Sequence, residues 1–302
     1  MASGYSTTLL RKYLKYMALP MDYTQVIHDP ISFPKTEEAL TSLFKCQITR
    51  FPYDNLSVHY SATHIADIDP GTIYTKLMCF ECNIFFYHIL RGLGFSVYMT
   101  GVRNRARIDG IPQGDFKGWT HIVNIVQLPS GTQYHVDAAF GGDGPTSPLQ
   151  LTSGRAVPNL GTQEVRLVYG NMSKQTRLEQ KIWTYAYWNG PEKDWNAFYC
   201  FGELEFFQDD FEVLNKFTSW EAYEKGNMWV VKSLRGGEIE GLSGEEGELG
   251  NETEGAVSVV GKIMFVNDVV KLNLGGKTRV IDSFRSESER LRGLKKWFSI
   301  SV

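Results

Sequence analysis

Met78-Cys79-Phe80-Glu81-Cys82-Asn83, running directly into Ile84-Phe85-Phe86-Tyr87-His88-Ile89-Leu90, is the stretch around which the rest of the chain arranges itself. The apolar run has helix length, no interior Pro or Gly, and an end marked by Gly92 and Gly94, so it reads as a helix. Cys79 then falls in its first turn or two. There the unpaired backbone N–H groups and the positive end of the helix dipole favour a thiolate, which helps a thiol of ordinary pKa about 8.5 become a nucleophile. Taken alone, a helical Cys is more often packing than chemistry. Two later segments weigh against that.

Upstream, Leu9, Leu10, Tyr13 and Met17 follow helical spacing, and Pro20 ends that segment. A second helix is expected from Glu37 to Thr49, with Thr36 as N-cap and Leu40, Leu43, Phe44 and Ile48 on one face. Phe51-Pro52-Tyr53-Asp54-Asn55-Leu56 reads as a turn. Downstream, the pattern changes to period two. Ser96–Val102, Thr120–Leu128 and Gln133–Asp137 read as strands, the last two joined at Pro129-Ser130-Gly131. Between Val102 and Gly118 a loop is expected, carrying Arg103, Arg105, Arg107 and Lys117 toward an anionic ligand or toward solvent. Trp183, Tyr185 and Tyr187 alternate as in a strand, and Phe198–Phe207 is another.

From Gln208 the chain offers a helix or loop over Phe211–Trp220. Strands follow at Met228–Leu234, Val257–Val266 and Val269–Leu274, and a helix-compatible tail spans Ser286–Trp297. Gly236–Gly255, rich in Gly and Glu, reads as a mobile loop. The domain expectation is 1–95 helical, 96–207 a small β-barrel, and 208–302 mixed α/β.

Composition narrows the class. The 302 residues carry 42% hydrophobic and 22% charged content with a net charge of -3, which gives no electrostatic ground for nucleic acid or an anionic membrane as partner. Four Cys make no disulfide framework and fit a reducing compartment. No run approaches the roughly 18 apolar residues of a membrane span, and a cytoplasmic protein is expected.

Cysteine-based acyl chemistry needs a base to take the thiol proton, a group to orient that base, and donors for the oxyanion. His121, in Trp119-Thr120-His121-Ile122-Val123, is the candidate base, and Asp137, closing the apolar strand Tyr134-His135-Val136, is the candidate orienter. A short hairpin joins their strands, so the two can meet. Each residue alone favours a structural role, and the Cys–His–Asp order alone is common.

The linked motifs resemble those of the arylamine N-acetyltransferase family. Cys79-Phe80-Glu81-Cys82-Asn83 matches its Cys-x-Glu-x-Asn core, and Phe51–Tyr60 its Pro-Phe-Glu-Asn-Leu segment. Thr120-His121 and Val136-Asp137-Ala138-Ala139-Phe140-Gly141 match its base and orienter segments, and Asn267–Gly276 its C-terminal hairpin. The chain is thereby identified as a divergent, fungal-type member. The resemblance implies an α+β fold of three domains, a helical bundle, a β-barrel and an α/β lid, around a papain-like Cys-His-Asp core. It implies ping-pong acyl transfer, with Cys79 accepting the acyl group, His121 as base and then proton donor, Asp137 as orienter, and the Cys79 N–H among the oxyanion donors. It also implies an acyl-CoA or another acyl thioester as co-substrate, no permanently bound cofactor, no metal, and an amine or alcohol acceptor.

Two departures suggest specialisation. Thr75-Lys76-Leu77-Met78 stands where the family has Arg-Gly-Gly-x, and Trp220-Glu221 replaces small residues near the family's coenzyme A site. A bulkier or aromatic acyl donor from secondary metabolism is expected, with Phe51, Tyr53, Phe80, Trp119, Phe140 and Trp220 lining the pocket. The alternatives are a condensation or cyclisation on a bulky aromatic or polyketide-like substrate, and a non-catalytic binder. A redox Cys79-x-x-Cys82 pair lacks the usual βαβ context.

Overall fold

Helices form where the sequence supplies both a cap and a buried face. The computed structural model describes residues 4–76, 82–108, 110–238 and 257–302. Helix α1 (Thr7–Met17) starts where the Ser6 hydroxyl accepts the Leu9 N–H, stops at a left-handed Ala18, and buries Leu10, Tyr13, Leu14 and Met17. Helix α2 (Glu37–Arg50) is capped by Thr36 and carries Glu37 and Glu38 in its first turn, where the helix dipole favours them. Two short helices follow, α3 (Leu56–Tyr60) and α4 (Pro70–Lys76). Helix α5 (Cys82–Gly92) is apolar on nearly every side and is buried accordingly, from Cys82 through Tyr87 and again at Ile89 and Leu90. The expected helix is therefore present; Cys79 and Phe80 lie outside the described residues.

Thirteen strands are described, forming two antiparallel sheets. The first has the order β5 (Leu149–Gln150), β4 (Gln133–Val136), β3 (Ile111–Gln127), β2 (Ser96–Ile108), β9 (Asn196–Phe201), β8 (Ile182–Trp188), β7 (Glu164–Gly170), β6 (Ala156–Pro158). Among the described residues its two edges do not pair with each other, so the β-barrel that the resemblance implies takes the form of a curled, open sheet. The second runs β1 (Tyr53–Asp54), β10 (Trp229–Arg235), β11 (Val259–Val266), β12 (Val269–Leu274), β13 (Lys277–Ser283). Helix α6 (Asp210–Lys225) connects the sheets, and α7 (Glu287–Phe298), capped by Ser286, closes the chain.

Several expectations are corrected. The basic segment between Val102 and Gly118 is no loop: β2 and β3 extend through it as a ribbon, and register shifts at Val102–Ala106 absorb the irregular residues Gly114 and Gly118. Tyr53–Asp54 is a short edge strand pairing with Val230 and Val231. The strand expected over Phe198–Phe207 runs instead from Asn196 to Phe201, leaving Phe206 in an isolated bridge to Met99. Strand β13 was missed because Lys277, Thr278 and Arg279 are exposed and carry no apolar alternation. Within Gly236–Gly255 only the turn at 236–238 falls among the described residues.

Three apolar clusters hold these layers. One joins α1, α2 and α5 to the helix-facing side of β3 and β4 through Val126, Tyr134 and Val136. A second fills the curve of the first sheet around Val123, Ile125, Tyr185 and Tyr199. The third gathers β10–β12 and α7, and takes in Leu56. Only the Val123–Val126 end of β3 and the Tyr134–Val136 run of β4 are buried at successive positions, covered on both faces by the first two clusters.

Candidate active site

Sheet periodicity alone puts His121 and Asp137 on one face. In β3, Val123 and Ile125 point into the second cluster, and His121 shares their parity. In β4, Tyr134 and Val136 face the helices while His135 faces the aromatic side, and Asp137 continues that alternation. Pairing of Asn124 with Val136 puts Asp137 one step further on, opposite Val123 and two residues from His121. Such diagonal neighbours are within reach of long side chains. His121 Nε2 lies 3.0 and 2.9 Å from the two Asp137 oxygens. The Asp137 side chain is fully buried, whereas that of His121 is 14% exposed, so the ring keeps an accessible edge.

Asn83, on the first turn of α5, locks this pair to the helix. Its Nδ2 donates to Asp137 Oδ1 (2.9 Å) and to Ile122 O (2.6 Å), and its Oδ1 accepts the Ala138 N–H (2.8 Å). Asn124 Nδ2 returns a bond to Asn83 O at 2.9 Å. Asp137 Oδ1 also accepts the Ala139 N–H. On the other side the Tyr199 hydroxyl donates to Asp137 Oδ2 (2.8 Å). A phenol has one proton to give, so at its 2.8 Å contact with His135 the same oxygen accepts from Nε2–H. His135 is then the neutral Nε2–H tautomer, and its Nδ1 has no hydrogen-bond partner.

The electrostatics follow from these contacts. Burial pushes the Asp137 carboxyl up. The charge and hydrogen bond of His121, then His135 and Asn83, outweigh that and bring it down to about 2. Asp137 is thus an anion across the physiological range. Burial, the larger effect, lowers His135 to about 4 against the pull of Asp137, so its ring stays neutral. Burial and then the Asp137 charge push the Tyr199 phenol up, keeping it a donor. With Nε2–H committed to the carboxylate, the lone pair of His121 sits on Nδ1, where it can take a proton from an acid on the open side.

A cavity of about 40 Å³ borders Asp137. Phe51, Tyr53 and Phe140 share its wall with Asp137, Gly141 and Gly142, and the second sheet contributes Val231, Ser233 and Lys262. The Phe140 ring lies 5.4 Å from that of His121. Gly141 behind it adopts φ +75°, and a Cβ there would meet the Tyr53 ring at 3.3 Å, so the turn presenting Phe140 needs glycine. Phe51 also packs into the helical core against Tyr13 and Phe85. Trp119 lies away from this wall, between the Arg103 guanidinium at 4.0 Å and Phe206 at 5.4 Å. Trp220 is an exposed residue of α6 beside Phe217, and neighbouring Glu221 is engaged by Lys117 and Lys225.

The profile of the N-acetyltransferase family matches residues 36–229, which span α2, α5, both residues of the pair and the first sheet. The chain belongs to the arylamine N-acetyltransferase family. As a member it is an acyltransferase. It is 26% identical to the N-malonyltransferase FDB2 of Gibberella moniliformis, over 99% of this chain and 90% of that protein. Its fold is that of the family's solved structures. The arylamine N-acetyltransferase of Salmonella typhimurium superposes with a TM-score of 0.70 at 20% identity, covering 97% of this chain and 91% of that one. The Mycobacterium marinum enzyme in complex with CoA gives 0.70 at 18% identity, covering 96% and 92%.

Asn83, Tyr199 and His135 were not singled out as site residues. Asn83 stands in the Cys-x-Glu-x-Asn motif and was visible there. Tyr199 and His135 sit inside apolar strands, where neither spacing nor composition separates them from core residues.

Proposed function

We propose that the protein moves an acyl group from a thioester to an amine through an acyl-enzyme on Cys79. The observation that carries this reading is the contact of His121 Nε2 with both Asp137 oxygens, which leaves Nδ1 as the proton acceptor. Cys79 precedes Asn83 by four residues, a span of about 6 Å if helical and at most about 14 Å if extended. Asn83 itself touches Asp137, and this closeness along the chain supports Cys79 as the partner of His121.

In the first half-reaction His121 holds the Cys79 proton, and the thiolate attacks the donor carbonyl with the Cys79 N–H facing the oxyanion. The carbon–sulfur bond to the donor breaks as the bond to Cys79 forms, and the departing thiolate takes the proton from His121. In the second, the amine nitrogen attacks the acyl-Cys79 carbonyl, His121 takes the amine proton, and Cys79 leaves. Asp137 holds the ring orientation and stabilises the imidazolium.

The marinum complex supports a coenzyme A thioester as donor, and the malonyltransferase relative supports an acyl group other than acetyl and an amine acceptor. Separate apolar clusters in the first sheet and around β10–β12 with α7 support distinguishing 96–207 from 208–302, and the cavity wall that Val231, Ser233 and Lys262 contribute supports the latter as a lid; the first cluster draws on all three parts, 1–95, 96–207 and 208–302.

Intact-protein mass after brief exposure to acetyl-CoA, malonyl-CoA and an activated aryl ester tests this, with Cys79→Ala beside the wild type. An adduct on the wild type alone, discharged by an aromatic amine, is expected. No adduct from any donor sinks the covalent reading and turns attention to the condensation or binding alternatives.

A further inference from the structure

We propose that Lys262 and the Gly141-Gly142 turn form a subsite for a carboxylate carried on the acyl group, so that a malonyl-type thioester is preferred over acetyl. The inference rests on the acyl-transfer reading and names the substrate class of the same site.

Lys262 is a half-buried residue of β11, paired with Ser233 on one side and Asn273 on the other. Its ammonium crosses from the second sheet to the turn after β4 and donates to Gly142 O. Lys262 and Ser233 both line the cavity that Asp137 and Phe140 wall from the first sheet. A group entering this cavity beside Phe140 therefore has this ammonium as its neighbour across the cavity.

The local charge is unbalanced. Asp143, one residue past the turn, is ion-paired with Arg107, whose guanidinium also lies 5.9 Å from the Phe140 ring. Among the described residues no carboxylate is within ion-pair distance of Lys262. Two cations thus meet one anion at the turn, while the Asp137 carboxylate on the cavity wall is already engaged by His121, Asn83 and Tyr199. Desolvation lowers the Lys262 pKa; Asp143 raises it and Arg107 lowers it further. An ammonium withdrawn from water with only a carbonyl for partner is costly, and a carboxylate supplies the missing counter-charge.

Size agrees. A cavity of about 40 Å³ has room for about three waters, comparable to the three heavy atoms of a carboxylate. An acetyl group ends in a methyl and would leave the ammonium unanswered.

The test compares wild type, Lys262→Met and Lys262→Arg by kcat/KM for malonyl-CoA and acetyl-CoA, each with aniline and with 4-aminobenzoate as acceptor. Wild type is expected to favour malonyl. The malonyl-to-acetyl ratio should fall about tenfold or more in Lys262→Met, with either acceptor, and recover at least in part in Lys262→Arg. A ratio unchanged within about twofold, or equal losses with both donors, assigns Lys262 a structural role and overturns the inference while acyl transfer stands. An effect that follows the carboxylate of 4-aminobenzoate instead of the donor overturns it too. Absence of an acyl adduct from either thioester overturns both readings together.

Discussion

At the scale of single residues, the Asp137 carboxylate is the most heavily supported group among the described residues. His121, Asn83, Tyr199 and the Ala139 N–H all converge on two buried oxygens. A buried anion is tolerable only when its lone pairs are met this completely. Tyr199→Phe keeps the ring that packs against Phe140 and Tyr185 but removes one donor, and it strands the Nε2–H of His135. We expect acyl transfer to fall roughly 5- to 20-fold and stability to drop by about 1–3 kcal/mol, the cost of leaving a buried polar group unpaired. Single-turnover acylation and urea unfolding would measure both; unchanged kinetics would remove Tyr199 from the positioning of Asp137. The pair was legible in the sequence through the linked motifs around Thr120-His121 and Val136-Asp137, since each residue alone favours a structural role. Tyr199 was not, since nothing sets a Tyr in an aromatic strand apart from core residues.

At the scale of elements, periodicity read the helices and the central hairpins well, because each has one continuous buried face and an identifiable cap or turn. It failed where pairing, not burial, makes the strand. The β2–β3 ribbon, the edge strand β1 and the exposed β13 exist through their hydrogen-bonded neighbours, and no pattern in their side chains announces this. The tip of the β12–β13 hairpin docks against the turn between β6 and β7, and so ties one sheet to the other. Gly161 sits there at φ +64°, and a Cβ on it would lie 2.2 Å from Gly275 O, a backbone atom that cannot swing aside. Gly161→Ala should therefore pry the hairpin from the first sheet and cost more than the roughly 1 kcal/mol typical of backbone strain alone. A thermal melt of this variant within a degree of wild type would mean the contact is dispensable.

At the scale of the whole molecule, long-range polar ties hold the layers together. Arg235, at the end of β10, donates to Met17 O, to Ala18 O and to Thr49 Oγ1, so one guanidinium fastens the second sheet to the ends of α1 and α2. Buried His135 and half-buried His88 make the packed state sensitive to acid. Burial lowers both to about 4 from an ordinary value of 6.5; Arg91 adds to the effect at His88, while Asp137 opposes it at His135. Between those values the unfolded chain binds the protons and the folded one does not, so stability is full above about pH 6.5 and is lost as pH falls toward 4. For His135 the loss is roughly 3 kcal/mol, of the order that a shift of this size implies. Asp137, held down to about 2, adds a second loss only below its unfolded value of about 3.9. Melting temperature should thus decline through pH 6.5 to 4, where these two histidines contribute, and of these three groups only Asp137 carries the decline further below that. His135→Gln should be less stable at neutral pH, having lost the fitted ring against Phe201, yet decline less across that window, with His88 and His59, which burial also lowers, contributing to the remaining slope. A variant whose melting temperature tracks the wild-type slope, offset by a constant, would show that His135 is not a source of the acid sensitivity.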